Sequence, residues 1–422
     1  MRFPETRLLL ALLAAITVAC EPVAPGGAPA APSRSEAAIP VSPAGGATLP
    51  PAASPCVAPR QGSPTFAPDS VRVTTNALGT LSGDWVFTLR DVQSATELWA
   101  IPLAGGPPRL ALRFCNVRLA APEGLTDAQP YLRRAFSPDG RGLVIFIPGR
   151  GLTIVDLETG GMRTLDFEGR YPTWSRRGDQ ISFNRQERNP NPQAGYLIDV
   201  PWLVNVNGSD AHRIANAPME WAPDGARYLS PDPETLEGWA LVETQTQRVV
   251  EHINLAVPLA GTTRRSIAFW RHTSEEVALI VRGGLGSIEQ VGIRDMASGA
   301  FRRLTTIVGA ADPPTYLDPR FNPSGDELLF TDVRAPNDRL PLLLRRVHIV
   351  SLASGRDEVI PLNAFEATWT PDGTGIVFVD AGSAPDARVA VRLFSRADRT
   401  IRDLLVRAGP GDAFWSVVSV SY

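Results

Sequence analysis

The sequence predicts an all-β fold, a β-propeller of four-stranded antiparallel blades, and three observations lead there. A tight Pro-Asp-Gly turn recurs behind an aromatic anchor. Each turn is followed by short apolar runs too brief for helices and rich in β-branched and aromatic residues. The runs are apolar throughout rather than alternating, as strands covered on both faces must be. A single sheet cannot bury both of its own faces, so copies must stand on either side of it.

The clearest copy is Ala135–Leu165, AFSPDGRGLVIFIPGRGLTIVDLETGGMRTL. Ala135–Ser137 reads as a first short strand. Ser137-Pro138-Asp139-Gly140 suits a tight turn, because Pro fixes φ, Asp tolerates the next position and Gly closes without a Cβ penalty. Leu143–Ile147 and Leu152–Leu157 read as the second and third strands. Glu158-Thr159-Gly160-Gly161 turns the chain, and Met162–Leu165 is the fourth strand. The Asp residues of the turns (Asp139, Asp224, Asp372) are explained by turn chemistry rather than by a metal site.

The residue before each turn serves as an anchor: Leu81, Phe136, Trp174, Trp221, Trp270, Phe321, Trp369 and Trp415. Successive spacings are 55, 38, 47, 49, 51, 48 and 46 residues, which fits four strands plus loops. Trp221-Ala222-Pro223-Asp224-Gly225 and Trp369-Thr370-Pro371-Asp372-Gly373 are close copies of the motif. Trp174-Ser175-Arg176-Arg177-Gly178 keeps only the Gly, and Trp270-Arg271-His272-Thr273-Ser274 and Leu81-Ser82-Gly83-Asp84 are degenerate. Phe66–Thr74 reads as an extra strand. The C-terminal Phe414–Tyr422 carries an anchor and stops, so it is expected to complete a blade begun near the N-terminus. That gives seven blades, with eight and six as the alternatives.

The pattern of W/F-S-P-D-G, apolar strand, loop, apolar strand ending in Asp, Gly turn and short strand resembles the TolB-type branch of WD-like β-propeller repeats, from about Leu78 to the C-terminus. The resemblance implies the fold and little about function. TolB pairs its propeller with a separate N-terminal α/β domain. A Pro-rich stretch stands in that place here, so a role in envelope integrity does not carry over.

Residues 1–20 read as an export signal, with Arg2 and Arg7 ahead of the apolar stretch Leu8–Val18, which is too short to span a bilayer. Thr17-Val18-Ala19-Cys20 resembles a bacterial lipobox with Thr in place of the usual Leu. This implies a lipid on Cys20, the alternative being plain cleavage after Ala19. Residues 21–64 are rich in Pro, Ala, Gly and Ser and cannot bury enough surface to offset chain entropy, so they read as a disordered tether. A flexible chain of that length reaches on the order of 35–40 Å. Residues 65–422 then form the propeller, and the whole reads as an extracytoplasmic protein held by lipid to a bacterial membrane, periplasmic or at the cell surface.

A net charge of −3 gives no reason to expect a nucleic-acid partner, and contact with the membrane is expected through the lipid only. All 41 basic residues are Arg, which excludes a Schiff-base Lys, a Walker-type loop and a Ser–Lys dyad. The four His are scattered, without metal-ligand spacing, and His348 reads as a packed strand residue. No G-x-S-x-G elbow occurs. No catalytic residue, cofactor or metal is assigned. With Cys20 lipidated, Cys56 and Cys115 remain, either as a disulfide or as two free thiols.

In a four-stranded meander, first-to-second and third-to-fourth turns share one face of the disc. Second-to-third loops and blade-to-blade loops share the other. The short turns fall in the first set and the long loops in the second, including Asn184–Gly195, Thr306–Pro319 and Asp332–Pro341. Loops on a rigid scaffold concentrate binding residues. Arg185, Arg188, Arg334, Arg339, Asp312 and Asp318 are therefore expected as polar contacts and Tyr316 as an aromatic one. The function expected is a non-catalytic scaffold that binds a protein, peptide or glycan through its long-loop face. The alternative is a glycan- or peptide-acting enzyme using carboxylates at the channel mouth, for instance a pair such as Asp312 and Asp318.

Overall fold

The computed structural model describes residues 41–42, 47–48, 56, 72–92, 95–115, 133–147, 149–190, 197–232, 238–253, 268–283, 288–305, 315–334, 344–380, 390–406 and 413–421. The compact unit spans Ile39–Tyr422. Its strands form seven sheets, which are the seven blades of a β-propeller. In chain order after the first blade, blade 3 is Arg170–Trp174, Gln180–Arg188, Leu197–Asn205 and His212–Arg213. Blade 4 is Glu220–Trp221, Arg227–Pro231, Trp239–Glu243 and Val249–Ile253. Blade 5 is Ala268–Trp270, Glu276–Gly283, Ile288–Asp295 and Phe301–Arg303. Blade 6 is Thr315–Phe321, Glu327–Arg334, Leu344–Ser351 and Asp357–Ile360. Blade 7 is Ala364–Trp369, Gly375–Asp380, Ala390–Ser395 and Ile401–Val406.

Blade 2 departs from the expectation. Gly142–Ile147, Gly151–Asp156 and Met162–Asp166 are strands, but the expected first strand Ala135–Ser137 is reduced to one bridge from Phe136 to Leu143. Arg133–Ala135 coil into a single helical turn just before it, which takes the backbone out of the extended form needed for a ladder.

The C-terminal strand Ala413–Ser421 pairs with Asp84–Val92 in blade 1, ahead of Ala95–Pro102 and Arg109–Cys115. The N-terminal strand Arg72–Thr75 adds a fifth strand at that blade's outer edge. Leu81 and Trp415 thus belong to one blade, and eight anchors make seven blades.

Alternation along the second strands explains why they are wholly apolar. In Gly375–Asp380, Ile376 and Phe378 pack toward blade 6, whereas Val377 and Val379 pack toward blade 1. In Glu276–Gly283, Val277 and Leu279 face blade 4 while Ala278 and Ile280 face blade 6. Period-2 side chains therefore supply both interfaces of one blade. The closing interface gathers Val86, Trp99, Val377, Leu405 and Phe414.

The first-to-second turns repeat one geometry. Asp139, Asp224 and Asp372 accept the N–H two residues on at 3.1, 2.9 and 3.0 Å. Ser137 and Thr370 Oγ accept from Gly142 and Gly375 at 2.7 and 2.9 Å. Neighbouring turns interlock: a Cβ on Gly325, whose φ is +76°, would fall 2.4 Å from His272 Cε1 of the blade before.

Two stretches inside the segment read as a tether, Val41–Ser42 and Ala47–Thr48, pair in parallel with Ile401–Val406 at the outer edge of blade 7. An outer edge leaves N–H and C=O groups open, and even a low-complexity segment can pair with them through its backbone. Cys56 and Cys115 form a disulfide, joining that segment to the end of blade 1's fourth strand.

Blade 6 carries a buried polar ladder. His348 stacks on Phe330 at 4.9 Å and its Nδ1 lies 2.9 Å from Asp357 Oδ2. Burial lowers its pKa, but the hydrogen bonds with Asp332 and then Asp357 outweigh burial and hold it above the ordinary value. Burial raises the Asp332 carboxyl, and His348 and Arg346 outweigh that and hold it well below the carboxylate range.

Two predictions follow from this packing. Phe414→Ala empties the closing interface and should cost about 3–5 kcal/mol, read as a lower midpoint in guanidinium unfolding. The raised His348 pKa contributes stability that is complete below the unfolded value and lost as pH rises through the folded one. The melting temperature of the wild type should therefore fall more than that of His348→Gln between about pH 6 and about pH 9; parallel curves would remove His348 as the cause.

Candidate binding channel

A cavity of about 300 Å³ is lined by residues of five successive blades, 2 to 6. Five blades can share one space only at the axis. First-strand residues Glu220, Phe269, Trp270 and Phe321 form its wall. Turn residues Arg176, Pro223, His272, Asn322 and Pro323 form its rim, and Arg133 enters from the helical turn before blade 2. The first strands run from the long-loop face toward the short turns, so this cavity lies at the short-turn end of the channel.

Charge in the channel is dense and mostly buried. Arg134 Nε donates to Glu220 Oε2 at 3.0 Å, reaching from blade 2 to blade 4, and the two side chains are 5% and 3% exposed. Arg176 Nη2 reaches Glu220 Oε1 at 3.5 Å and is one-third exposed. Arg320 Nη2 donates to Glu366 Oε1 at 2.9 Å, joining blades 6 and 7. Anchor indoles bind the strand behind: Trp270 Nε1 donates to the Glu220 carbonyl and Trp369 Nε1 to that of Arg320, at 3.3 and 3.0 Å.

Arg133 has no such partner among the described residues. Its guanidinium lies 5.3 Å from the Phe269 ring centroid, and its buried Nη1 has no hydrogen-bond partner among the described residues. Burial, then the nearby cations Arg176 and Arg320, push its pKa down to about 9 against the opposing pull of Glu220. It is still protonated at neutral pH. Buried Nη1 of Arg134, Nε and Nη1 of Arg320, and Nε1 of Trp174 and Trp221 likewise have no partner among the described residues. Each of these atoms is an N–H donor.

Among the residues expected from sequence, the described ones do not line this cavity. Arg185 is a cross-blade clamp: its Nε donates to Asp166 Oδ2 at 3.1 Å and its guanidinium lies 3.8 Å from the Trp202 ring centroid. Burial raises the Asp166 carboxyl, and the Arg185 hydrogen bond outweighs it and holds the group below its ordinary value. Arg188 is exposed at the long-loop end of blade 3. Tyr316 and Asp318 belong to blade 6's first strand, and Arg334 ends its second strand opposite Leu344. Backbone pairing puts Tyr316 and Arg334 at the long-loop edge of blade 6, two intervening blades away from Arg185 and Arg188. Asp312, Arg339 and Cys20 lie outside the described residues.

Arg133, Arg176, Glu220 and the aromatic wall were not found from sequence. A signal for two rim residues was present in the broken turns. Where blades 2, 4, 6 and 7 place Pro, two residues after the anchor, blades 3 and 5 place Arg176 and His272, and both line the cavity. A local rule broken without local gain often marks a functional site.

No protein-family model matches the chain, and no curated protein matches it in sequence. Solved structures do. Puromycin hydrolase matches with a TM-score of 0.50 and 16% identity over 80% of this chain and 54% of that one. The periplasmic gluconolactonase PpgL of Pseudomonas aeruginosa matches with 0.45 and 14% over 80% and 99%. TolB from Acinetobacter baumannii matches with 0.40 and 13% over 83% of each chain. At such identities the likeness concerns the fold alone. The class so defined is the seven-bladed β-propeller, here with an arginine-lined cavity on its axis.

Proposed function

We propose that this chain is a non-catalytic binding propeller that holds a protein, peptide or glycan at its axial channel. The observation that carries this reading is the lining of the cavity. Arginines and aromatics supply donors and apolar surface, and the single carboxylate among the lining residues, Glu220, is already engaged by Arg134 and Arg176. A glycosidase-type mechanism needs two carboxyl groups free to act across a scissile bond. Buried arginine and aromatic side chains are the residue types that anchor partners most strongly.

In this reading the protein is exported and held to a bacterial membrane by lipid on Cys20. What supports it is the charged and apolar N-terminal segment ending in Thr17-Val18-Ala19-Cys20. The Cys56–Cys115 disulfide agrees with an oxidising compartment. No helix among the described residues is long and apolar enough to cross a membrane.

Two experiments test this. In capture from native membranes with the full chain, Arg176→Glu should lose a specific partner while Arg188→Glu, on the opposite face, keeps it. The reverse pattern would move the site to the long loops. Cys20→Ser should release the protein from membranes washed with high salt; retention of the variant would end the lipid assignment.

A further inference from the structure

The channel holds more positive charge than it neutralises. Arg134 is matched by Glu220 and Arg320 by Glu366. Arg176 shares Glu220 and is partly solvated. Arg133 is left as a partly buried cation, its Nη1 buried, with no carboxylate of its own among the described residues. An uncompensated buried charge is a large cost to a fold. The cost is increased here by the neighbouring arginines that repel it. The fold gains no ion pair from Arg133 among the described residues, and the cation borders a cavity large enough for a small ligand.

We propose that Arg133 is the docking point for a ligand carboxylate whose adjoining apolar group lies against Phe269, Trp270 and Phe321. This rests on the channel being the binding site. A carboxylate fits for three reasons. The guanidinium presents a planar fork that two carboxylate oxygens satisfy together. Arg133, Arg134, Arg176 and Arg320 face only Glu220 and Glu366 among the described residues, so the cluster has room for a ligand's negative charge. The wall beside Arg133 is aromatic and proline-rich, lined by Phe269, Trp270, Phe321, Pro223 and Pro323, which favours an apolar neighbour to the acid over a sugar or a bare phosphate. The carboxylate can come from the end of a peptide or from a free aromatic acid.

The test is calorimetric titration of the full chain with four probes: N-acetylphenylalanine, its amide, 3-phenylpropionate and inorganic phosphate. The acids should bind at least tenfold more tightly than the amide and than phosphate. Equal affinity for the two acids assigns the site to acid and ring alone, and preference for N-acetylphenylalanine assigns it to a peptide terminus. Arg133→Gln should weaken the acids at least tenfold while leaving the melting temperature unchanged or raised, because it removes a cation that the fold does not compensate. Arg133→Lys should keep part of the affinity, as charge without the fork. The proposal falls if amide and acid bind alike, if no acid binds, or if Arg133→Gln binds as the wild type does. It falls too if Arg133→Gln only lowers the melting temperature, the mark of a structural role. A membrane partner lost with Arg176→Glu but retained by Arg133→Gln would leave the channel as the binding site and remove the carboxylate assignment.

Discussion

The ring depends on second strands that are dry on both faces. Ile376 and Phe378 must be covered by one neighbour and Val377 and Val379 by another, and the same division recurs in Glu276–Gly283. A sheet of this kind has no stable existence alone, because each exposed face would leave several large side chains in water. Closure is then obligatory, and Ala413–Ser421 provides it by taking the innermost place of blade 1 and contributing Phe414 to the seam. The interlocking turns are a consequence: bringing sheets close enough to share cores brings Gly325 against His272.

The same geometry concentrates charge. First strands converge on the axis, so residues remote in sequence become partners, as with Arg134 and Glu220 or Arg320 and Glu366. Buried ions of this sort add little net stability over apolar residues but are costly to break singly. They hold the inner strands in fixed register around a space that stays open. Use of arginine alone for positive charge suits this, since the planar fork satisfies carboxylates at more than one point. Arg133 stands out because Arg134, Arg176 and Arg320 each reach a carboxylate.

The architecture was legible because its cause is local. Turn chemistry at Ser137–Gly140, two-sided apolar runs and a period set by four strands are all written in short windows, and the orphan anchor at Trp415 implied a seam strand. What was not legible depends on approach between distant segments. Arg185 resembles a free loop cation until Asp166 and Trp202 are seen beside it. Ala135–Ser137 obeys strand preferences, yet the helical turn at Arg133–Ala135 leaves only one bridge. Pairing of Val41–Ser42 and Ala47–Thr48 uses backbone alone, so composition carries no trace of it. Loop length pointed to one face, whereas the described cavity lies at the other. Its sequence trace was the substitution of Arg176 and His272 where other blades have Pro, a departure visible only after the repeat is aligned.

The attachment of Val41–Ser42 and Ala47–Thr48 to the rim of blade 7 puts the N-terminal part of the described chain on the ring's circumference. The chain is held first by the parallel pairing with Ile401–Val406 on blade 7 and then by the Cys56–Cys115 link on blade 1. Both points lie on the circumference, either side of the seam that Ala413–Ser421 fastens from within. The described N-terminal strands and Cys56 are therefore fastened to the perimeter, and the hub where Arg133 and Glu220 stand is left to the inner strands.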